Sequence, residues 1–386
     1  MPPAPLYNLH PQWRISSRFP GPPTNYVFVC REPKQASHGN RERWAPWPRT
    51  PCHLVAVPYP GRGHVNAMLN LCRLLAARDC VAITVVVTEE WLGLLCAPAA
   101  LPDLGPRVHF EAIPDVIPSE HGRASDITVL LSSTDPCLIE DYIPGTKSIR
   151  FTDLVPTHTN AAMLDKILEA YSSVRKAQCI ILTSFQELES DAIGALRQEL
   201  PCPVYAAGPC IPFMAPQERK ANPDGDGYMA WLDAQPAGSV LYVSLGSFLS
   251  VSATQFDEIA GGQAESKVRF LRVLRDADAR SRVRGLTGGG DAAGLVVPWT
   301  DQLRVLCHPS VGGFFTHCGM NSTLETVYAG VPMLTLPIAF DQPTNNRLIA
   351  EVWKTGLGLK EMSRGNGVIG REEIAAAVER LMRPAP

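Results

Sequence analysis

From Pro51 onward, short apolar runs alternate with amphipathic stretches. HLVAVPY (53–59) reads as a buried strand, PGRGH as a glycine-containing turn, and NAMLNLCRLLAAR (66–78) as a helix. Leu69, Leu71, Leu74 and Leu75 would give that helix its apolar face. VAITVVVTEE (81–90) is a second strand, completing a β-α-β unit whose strands run parallel under a helix. The alternation resumes near residue 177 with the strand QCIILTSF, the helix ELESDAIGALRQEL and the short strand PVYAAGP. A polar stretch, APQERKANPDGDG (215–227), follows. Beyond it SVLYVSLGS, VRFLRVLR, GLVVPW, VGGFFTH and VPMLTLPI are strands, with the helix TLETVYAG between the last two. The pattern predicts an α/β protein of two doubly wound, Rossmann-like domains facing a cleft, with ligands at the carboxyl ends of the strands. The predicted boundaries are 1–50, a disordered or non-homologous extension; 51–214, an N-terminal domain; 215–227, a linker; and 228–386, a C-terminal domain.

Charge narrows the function classes. Lys+Arg total 35 and Asp+Glu 38, a net charge of −3. No global basic field exists to hold nucleic acid or an anionic membrane, so neither is an expected partner. A hydrophobic fraction of 45% with 19% charged residues fits a sizeable core. The longest apolar runs, such as VAITVVV, are strand-sized and fall short of the ~18 residues of a membrane span, so no transmembrane segment is expected. The 11 cysteines include no C-x-x-C pair, which points away from a disulfide framework or zinc site and towards a reducing, cytoplasmic setting. Residues 1–50 are rich in Pro and Arg (Arg14, Arg18, Arg41, Arg43, Arg49), and organelle targeting is an alternative reading of that stretch.

The densest chemistry lies in residues 299–342, WTDQLRVLCHPSVGGFFTHCGMNSTLETVYAGVPMLTLPIAFDQ. The strand GGFFTH ends at Cys318-Gly319, and a helix is predicted to start near Asn321-Ser322, both good N-caps, and to stop at Gly330 with Pro332 beyond. Such a helix start offers backbone N–H groups and the positive end of the dipole to an anion, a phosphate above all. Gly319 lets backbone approach closely. His317, Asn321 and Ser322 add side-chain donors, and Glu325, one turn in, could accept from two ribose hydroxyls.

This segment resembles the signature box of plant secondary-product UDP-glycosyltransferases. The matched positions are Trp299, Gln302, His308, the run Thr316-His317-Cys318-Gly319-x-Asn321-Ser322, Glu325, Gly330-Val331-Pro332, Pro337 and Asp341-Gln342. TSFQELE (183–189) and DYIPG (141–145) also resemble family landmarks. The resemblance implies a GT-B fold, a UDP-sugar donor, a small-molecule acceptor, and no metal or other cofactor. By similarity Trp299 stacks on uracil, Gln302 borders the nucleoside, and His317, Asn321 and Ser322 hold the diphosphate. Glu325 then grips the ribose, Asp341 and Gln342 bind the sugar, and Ser247 lies near the phosphates. Gln342 leans towards glucose on the same analogy. Two positions depart from the family pattern: Met320 where Trp is usual, and Asp301 where Pro is common.

His64, after PGRG, matches the family's general base. A neutral imidazole there could take the proton of an acceptor hydroxyl as it attacks the anomeric carbon, inverting it. The family orients that histidine with an Asp from a later first-half strand, and no such strand is found here. The match passes from IPSEHGRASD (117–126) to EDYIPG (140–145), as if roughly a hundred residues of the family length were absent. Asp126, Asp135 and Asp141 are nearby acids, but none sits in the expected context. The chain also stops early, at ERLMRPAP, relative to the family pattern.

The N-terminal domain is therefore expected to be incomplete. That leaves a second functional reading, a catalytically impaired UDP-sugar-binding remnant or a non-catalytic partner protein. A third, a nicotinamide oxidoreductase, rests on Gly61-Arg62-Gly63 and Glu89, but Asn66 replaces the third glycine of that fingerprint.

Overall fold

The computed structural model describes residues 25–26, 29–30, 52–58, 62–77, 81–95, 104–113, 143–146, 148–150, 153, 174, 177–209, 211, 227–246, 251–287, 294–338, 341–359 and 367–383. Two short strands, β1 (Asn25–Tyr26) and β2 (Val29–Cys30), come from the stretch that the sequence assigns to a disordered or non-homologous extension. That assignment is corrected for these four residues, while the rest of residues 1–50 lies outside the described residues. β2 pairs antiparallel with β3 (Cys52–Ala56), and β1 pairs antiparallel with β6 (Ile180–Leu182).

Two small sheets form the first half among the described residues. One has the order β2-β3-β4-β5, with β4 at Val81–Thr88 and β5 at Val108–Ile113. The other has the order β1-β6-β7, with β7 at Val204–Ala206. Within them β3, β4 and β5 run parallel, as do β6 and β7.

Helix α1 (Arg62–Ala76) covers the first sheet and begins four positions before its predicted start at 66, so His64 lies in its first turn. Its buried face is Val65, Met68, Leu69, Cys72 and Ala76, set against Ile83, Val85 and Val87. Leu74 is instead exposed, because the 3.6-residue period from Val65 carries it off that face. Glu89 and Glu90 leave the predicted strand and open α2 (Glu89–Leu95), where acidic side chains suit the positive end of a helix. α3 (Ser190–Glu199) connects β6 to β7.

One continuous six-stranded parallel sheet forms the second half, in the order β10-β9-β8-β11-β12-β13. Its strands are β8 (Val240–Ser244), β9 (Arg269–Val273), β10 (Gly294–Val297), β11 (Val311–Thr316), β12 (Met333–Thr335) and β13 (Gly356–Gly358). The sequence reading had no counterpart for β13. α4 (Gly227–Asp233) begins with the last residue of the predicted linker, whose other residues lie outside the described ones.

Strand residues alternate between two cores. Leu241, Val243, Phe270, Phe315 and Leu334 pack against α5 (Ala253–Glu265) and α10 (Arg371–Met382) through Ile259, Ile374 and Val378. Tyr242, Leu271 and Phe314 face the other way, towards Tyr228 and Leu232 of α4 and Val305 and Leu306 of α7 (Gln302–Leu306). Burial of both faces is what a doubly wound parallel sheet requires. A further cluster joins the halves, packing Ile149 and Leu188 against Cys318, Met320, Leu324 and Trp353.

Candidate active site

At the end of β11 the chain turns through Cys318, whose φ of 57° reverses its direction, and Gly319 caps α8 (Met320–Ala329). Thr323 N–H makes a helical bond to Gly319 O at 3.0 Å, so the amides of Met320, Asn321 and Ser322 sit in the opening turn. This corrects the predicted start: Asn321 and Ser322 lie inside the first turn, and the extended Gly319 takes the cap position. Gly330 closes the helix in the left-handed region, φ 71°, as its sequence position implied.

A carboxylate from another element completes the cap. Asp341, at the head of α9 (Gln342–Arg347), accepts the Met320 N–H. Asn345 Nδ2 donates to Asp341 Oδ2 at 2.7 Å and to Cys318 O at 2.9 Å, tying the start of α9 to the turn before α8. Burial outweighs these bonds and holds the Asp341 pKa above its ordinary value.

His317 is caged by two glycines. A Cβ on Gly246 or on Gly319 would each come within 2.8 Å of its Nε2, and Gly246 has a φ of +86°. Burial pushes the imidazole down to about 4, so it is neutral at physiological pH. Its Nδ1 is enclosed and has no hydrogen-bond partner among the described residues. Ser247, one residue beyond Gly246, lies outside the described residues.

Gln302 braces the first turns of α8. Its Nε2 donates to Ser322 Oγ at 2.9 Å and to Glu325 Oε2 at 2.7 Å. Enclosure, with a lesser contribution from the Asp301 charge, raises the Glu325 pKa to about 7, against the Gln302 bond that lowers it. Trp299, just past β10 and three residues before α7, is 53% exposed. Asp301 caps α7 by accepting the Arg304 N–H, which accounts for an acid where the family pattern has Pro. Met320, where the family pattern has Trp, is buried in the joining cluster.

The remaining predicted residues divide. Gln342 is buried, and its Oε1 accepts the Ile338 N–H at 2.8 Å, which locks the loop before α9. His308 bridges Ser310 and Asp233 and is a structural link at the α7–β11 turn. His64 keeps part of its surface open. The protein around its ring lowers its pKa below the ordinary value, and the charge of Asp341 opposes that shift. Asp126, Asp135 and Asp141 lie outside the described residues.

Comparison with known proteins places this arrangement. The family model described as UDP-glucoronosyl and UDP-glucosyl transferase matches residues 157–383. UDP-glycosyltransferase 87A2 of Arabidopsis thaliana is 37% identical over 408 aligned residues, 86% of this chain and 87% of the relative. UDP-glycosyltransferase 87A1 of the same plant is 35% identical over 404 residues, 84% of this chain and 90% of the relative. The chain belongs to the UDP-glucoronosyl and UDP-glucosyl transferase family.

It is a UDP-glycosyltransferase of the plant secondary-product type, with the α/β GT-B fold. A solved structure of Phytolacca americana UGT2, complexed with UDP-2fluoro-glucose and pterostilbene, is 27% identical with a TM-score of 0.66. That match covers 85% of this chain and 90% of the other. The family match removes the oxidoreductase reading. The 408 aligned positions exceed the 386 residues of the chain itself, so 87A2 carries segments that this glycosyltransferase lacks.

Sequence reasoning missed two parts of this site. Asn345 and Gly246 act through contacts that no local spacing marks. Away from them, Glu189 at the end of TSFQELE is fully buried with both carboxylate oxygens outside hydrogen-bond geometry. Burial raises its pKa to about 7, and nearby Ser184 only partly offsets this. An acid at the end of a family landmark was a usable signal.

Proposed function

We propose that the chain transfers glucose from UDP-glucose to a hydroxyl of a small lipophilic plant metabolite, with inversion and without a metal or other cofactor, in the cytoplasm. The observation that carries the reading is the donor cradle: Gln302 joins Ser322 and Glu325 at the first turn of α8, with the exposed Trp299 in the segment before α7. UDP fits it by chemistry. The diphosphate takes the helix amides with Asn321, Ser322 and a neutral His317, the ribose hydroxyls donate to Glu325, and the uracil stacks on Trp299. Ser247 is proposed to stand near the phosphates, and Asp341 and Gln342 near the sugar.

His64 acts as general base. As the acceptor oxygen attacks the anomeric carbon from the face opposite UDP, the hydroxyl proton passes to the unprotonated ring nitrogen. The bond from that carbon to the diphosphate breaks, and the electron pair goes to UDP. The positive end of α8 stabilises the leaving charge. A lowered His64 pKa keeps the base unprotonated at neutral pH. The glucose donor is supported by the Phytolacca structure, which holds a fluorinated UDP-glucose. The domain limits 51–214 and 228–386, with 215–227 between them, belong to the same proposal.

The segments present in 87A2 and absent here motivate a second reading, a UDP-sugar-binding protein without turnover. Assay with UDP-glucose and a panel of phenolic acceptors, beside calorimetry with UDP, decides between them. Product that disappears in His64→Ala supports transfer. UDP heat without product supports the second reading, and no UDP heat from folded protein removes both.

A further inference from the structure

We propose that the first half of the chain takes part in holding the donor sugar: residues 148–153, through Asp153, position α9, which carries Asp341 and Gln342 at its head. The proposal rests on the reading of Asp341 and Gln342 as the residues near the sugar. Asp153 is a positioning residue and acts through α9.

The segment is built as an abutment. Ser148 turns the chain in the left-handed region, φ 65°. Arg150 then donates to the Asp153 carboxylate three times, from its backbone N–H at 2.9 Å, its Nη2 at 2.9 Å and its Nε at 3.1 Å. The Asp153 N–H returns to Arg150 O at 2.9 Å and closes the turn. A planar guanidinium forked onto a carboxylate fixes direction as well as distance. Asp153 is 5% exposed, and Ile149 is fully buried in the cluster that holds Leu348, Ile349 and Trp353, just beyond α9.

α9 meets this abutment from its middle to its end. Thr344 Oγ1 donates to Asp153 O at 2.6 Å, and Arg347 Nε donates to Ser148 O at 2.9 Å. Arg347 Nε also stands 3.9 Å from Asp153 Oδ2, a second cation on the same carboxylate. From the other side, Asn345 Nδ2 donates to Cys318 O, and Asn346 pairs with Thr335 of β12. Thr344, Asn345 and Asn346 are buried, so a broken bond at any of them leaves an enclosed polar atom unpaired. Six residues of helix span only about 9 Å, so a shift at Thr344 or Arg347 is carried along the hydrogen-bonded backbone to residues 341 and 342. The sugar end of the donor thus meets residues whose place both halves set. The nucleotide end differs, since Gln302, Ser322 and Glu325 are joined within the second half.

The test compares two ligands on the full chain by calorimetry and needs no turnover. UDP reads the nucleotide contacts alone, and UDP-glucose adds those of the sugar. Thr344→Val removes the hydroxyl that reaches Asp153 O. It should weaken UDP-glucose binding about three- to tenfold, the scale of one hydrogen bond, and leave UDP affinity unchanged. Thr344→Ser, which keeps the hydroxyl, should bind UDP-glucose as the unsubstituted protein does. A lower Tm with both affinities unchanged, or a loss no larger for UDP-glucose than for UDP, overturns the proposal and leaves residues 148–153 a structural link only. Should Thr344→Val fail to fold, Arg347→Lys, which gives up the Nε bond to Ser148 O, is read with the same two outcomes. Asp341→Asn and Gln342→Asn separate the failures. If either weakens UDP-glucose more than UDP while Thr344→Val does not, this proposal alone falls. If neither does, the sugar-contact reading falls and takes this proposal with it. No UDP heat from the folded chain removes the donor-site reading itself.

Discussion

The two halves of this glycosyltransferase solve the same architectural problem differently. The second half carries one unbroken parallel sheet of six strands, buried on both faces by helices. In the first half, the described strands fall into sheets of four and three, each bordered by a strand from residues 25–30. The donor cradle belongs to the unbroken half, on the segments that follow β8, β10, β11 and β12. His64, the proposed base, belongs to the divided half, in the first turn of α1.

The largest expected effect tests that separation. His64→Ala should lower turnover by about 10²- to 10⁴-fold, the usual range for a general base, while UDP affinity by calorimetry stays unchanged. A large loss of UDP binding in that variant would show that the halves do not work independently. Gly246→Ala comes next. The new Cβ would meet the His317 ring at 2.8 Å on a backbone with φ +86°. Strain of this kind costs on the order of 1–3 kcal/mol, so a lower Tm and weaker UDP binding should appear together.

Glu189 follows Leu188, a member of the cluster that joins the halves. Its folded pKa of about 7 lies above the ordinary carboxylate value. Its contribution to stability is therefore full below the ordinary value and lost as pH rises through 7. Glu189→Gln should stabilise the protein at pH 8 by on the order of 1–3 kcal/mol and have little effect at pH 4, read from denaturant midpoints. Glu325→Ala should weaken UDP binding by about 1–3 kcal/mol, the range for hydrogen bonds to a charged group. The smallest effect sharpens that assignment. With the Glu325 pKa near 7, UDP affinity should fall as pH drops from 8 to 6, by at most about tenfold per pH unit, and Glu325→Gln should flatten the slope.

Much of the second half was legible because its signals are local. Short apolar runs marked β8 to β12, and the spacing from Trp299 to Gln342 marked the cradle. What escaped was set by tertiary contacts. Asn321 and Ser322 are good caps in isolation, yet Gly319 takes that place because Asp341 reaches the first amide from another helix. Leu74 looked like part of an apolar face until the earlier start of α1 fixed which stripe meets β4. β1 and β2 carry too few residues for any periodic signal and exist only through their partners.

The hydrogen bonds of Thr344 and Arg347 to residues 148–153 have a mechanical consequence. Both start from one short helix, so displacing α9 from residues 148–153 breaks two buried or half-buried hydrogen bonds at once.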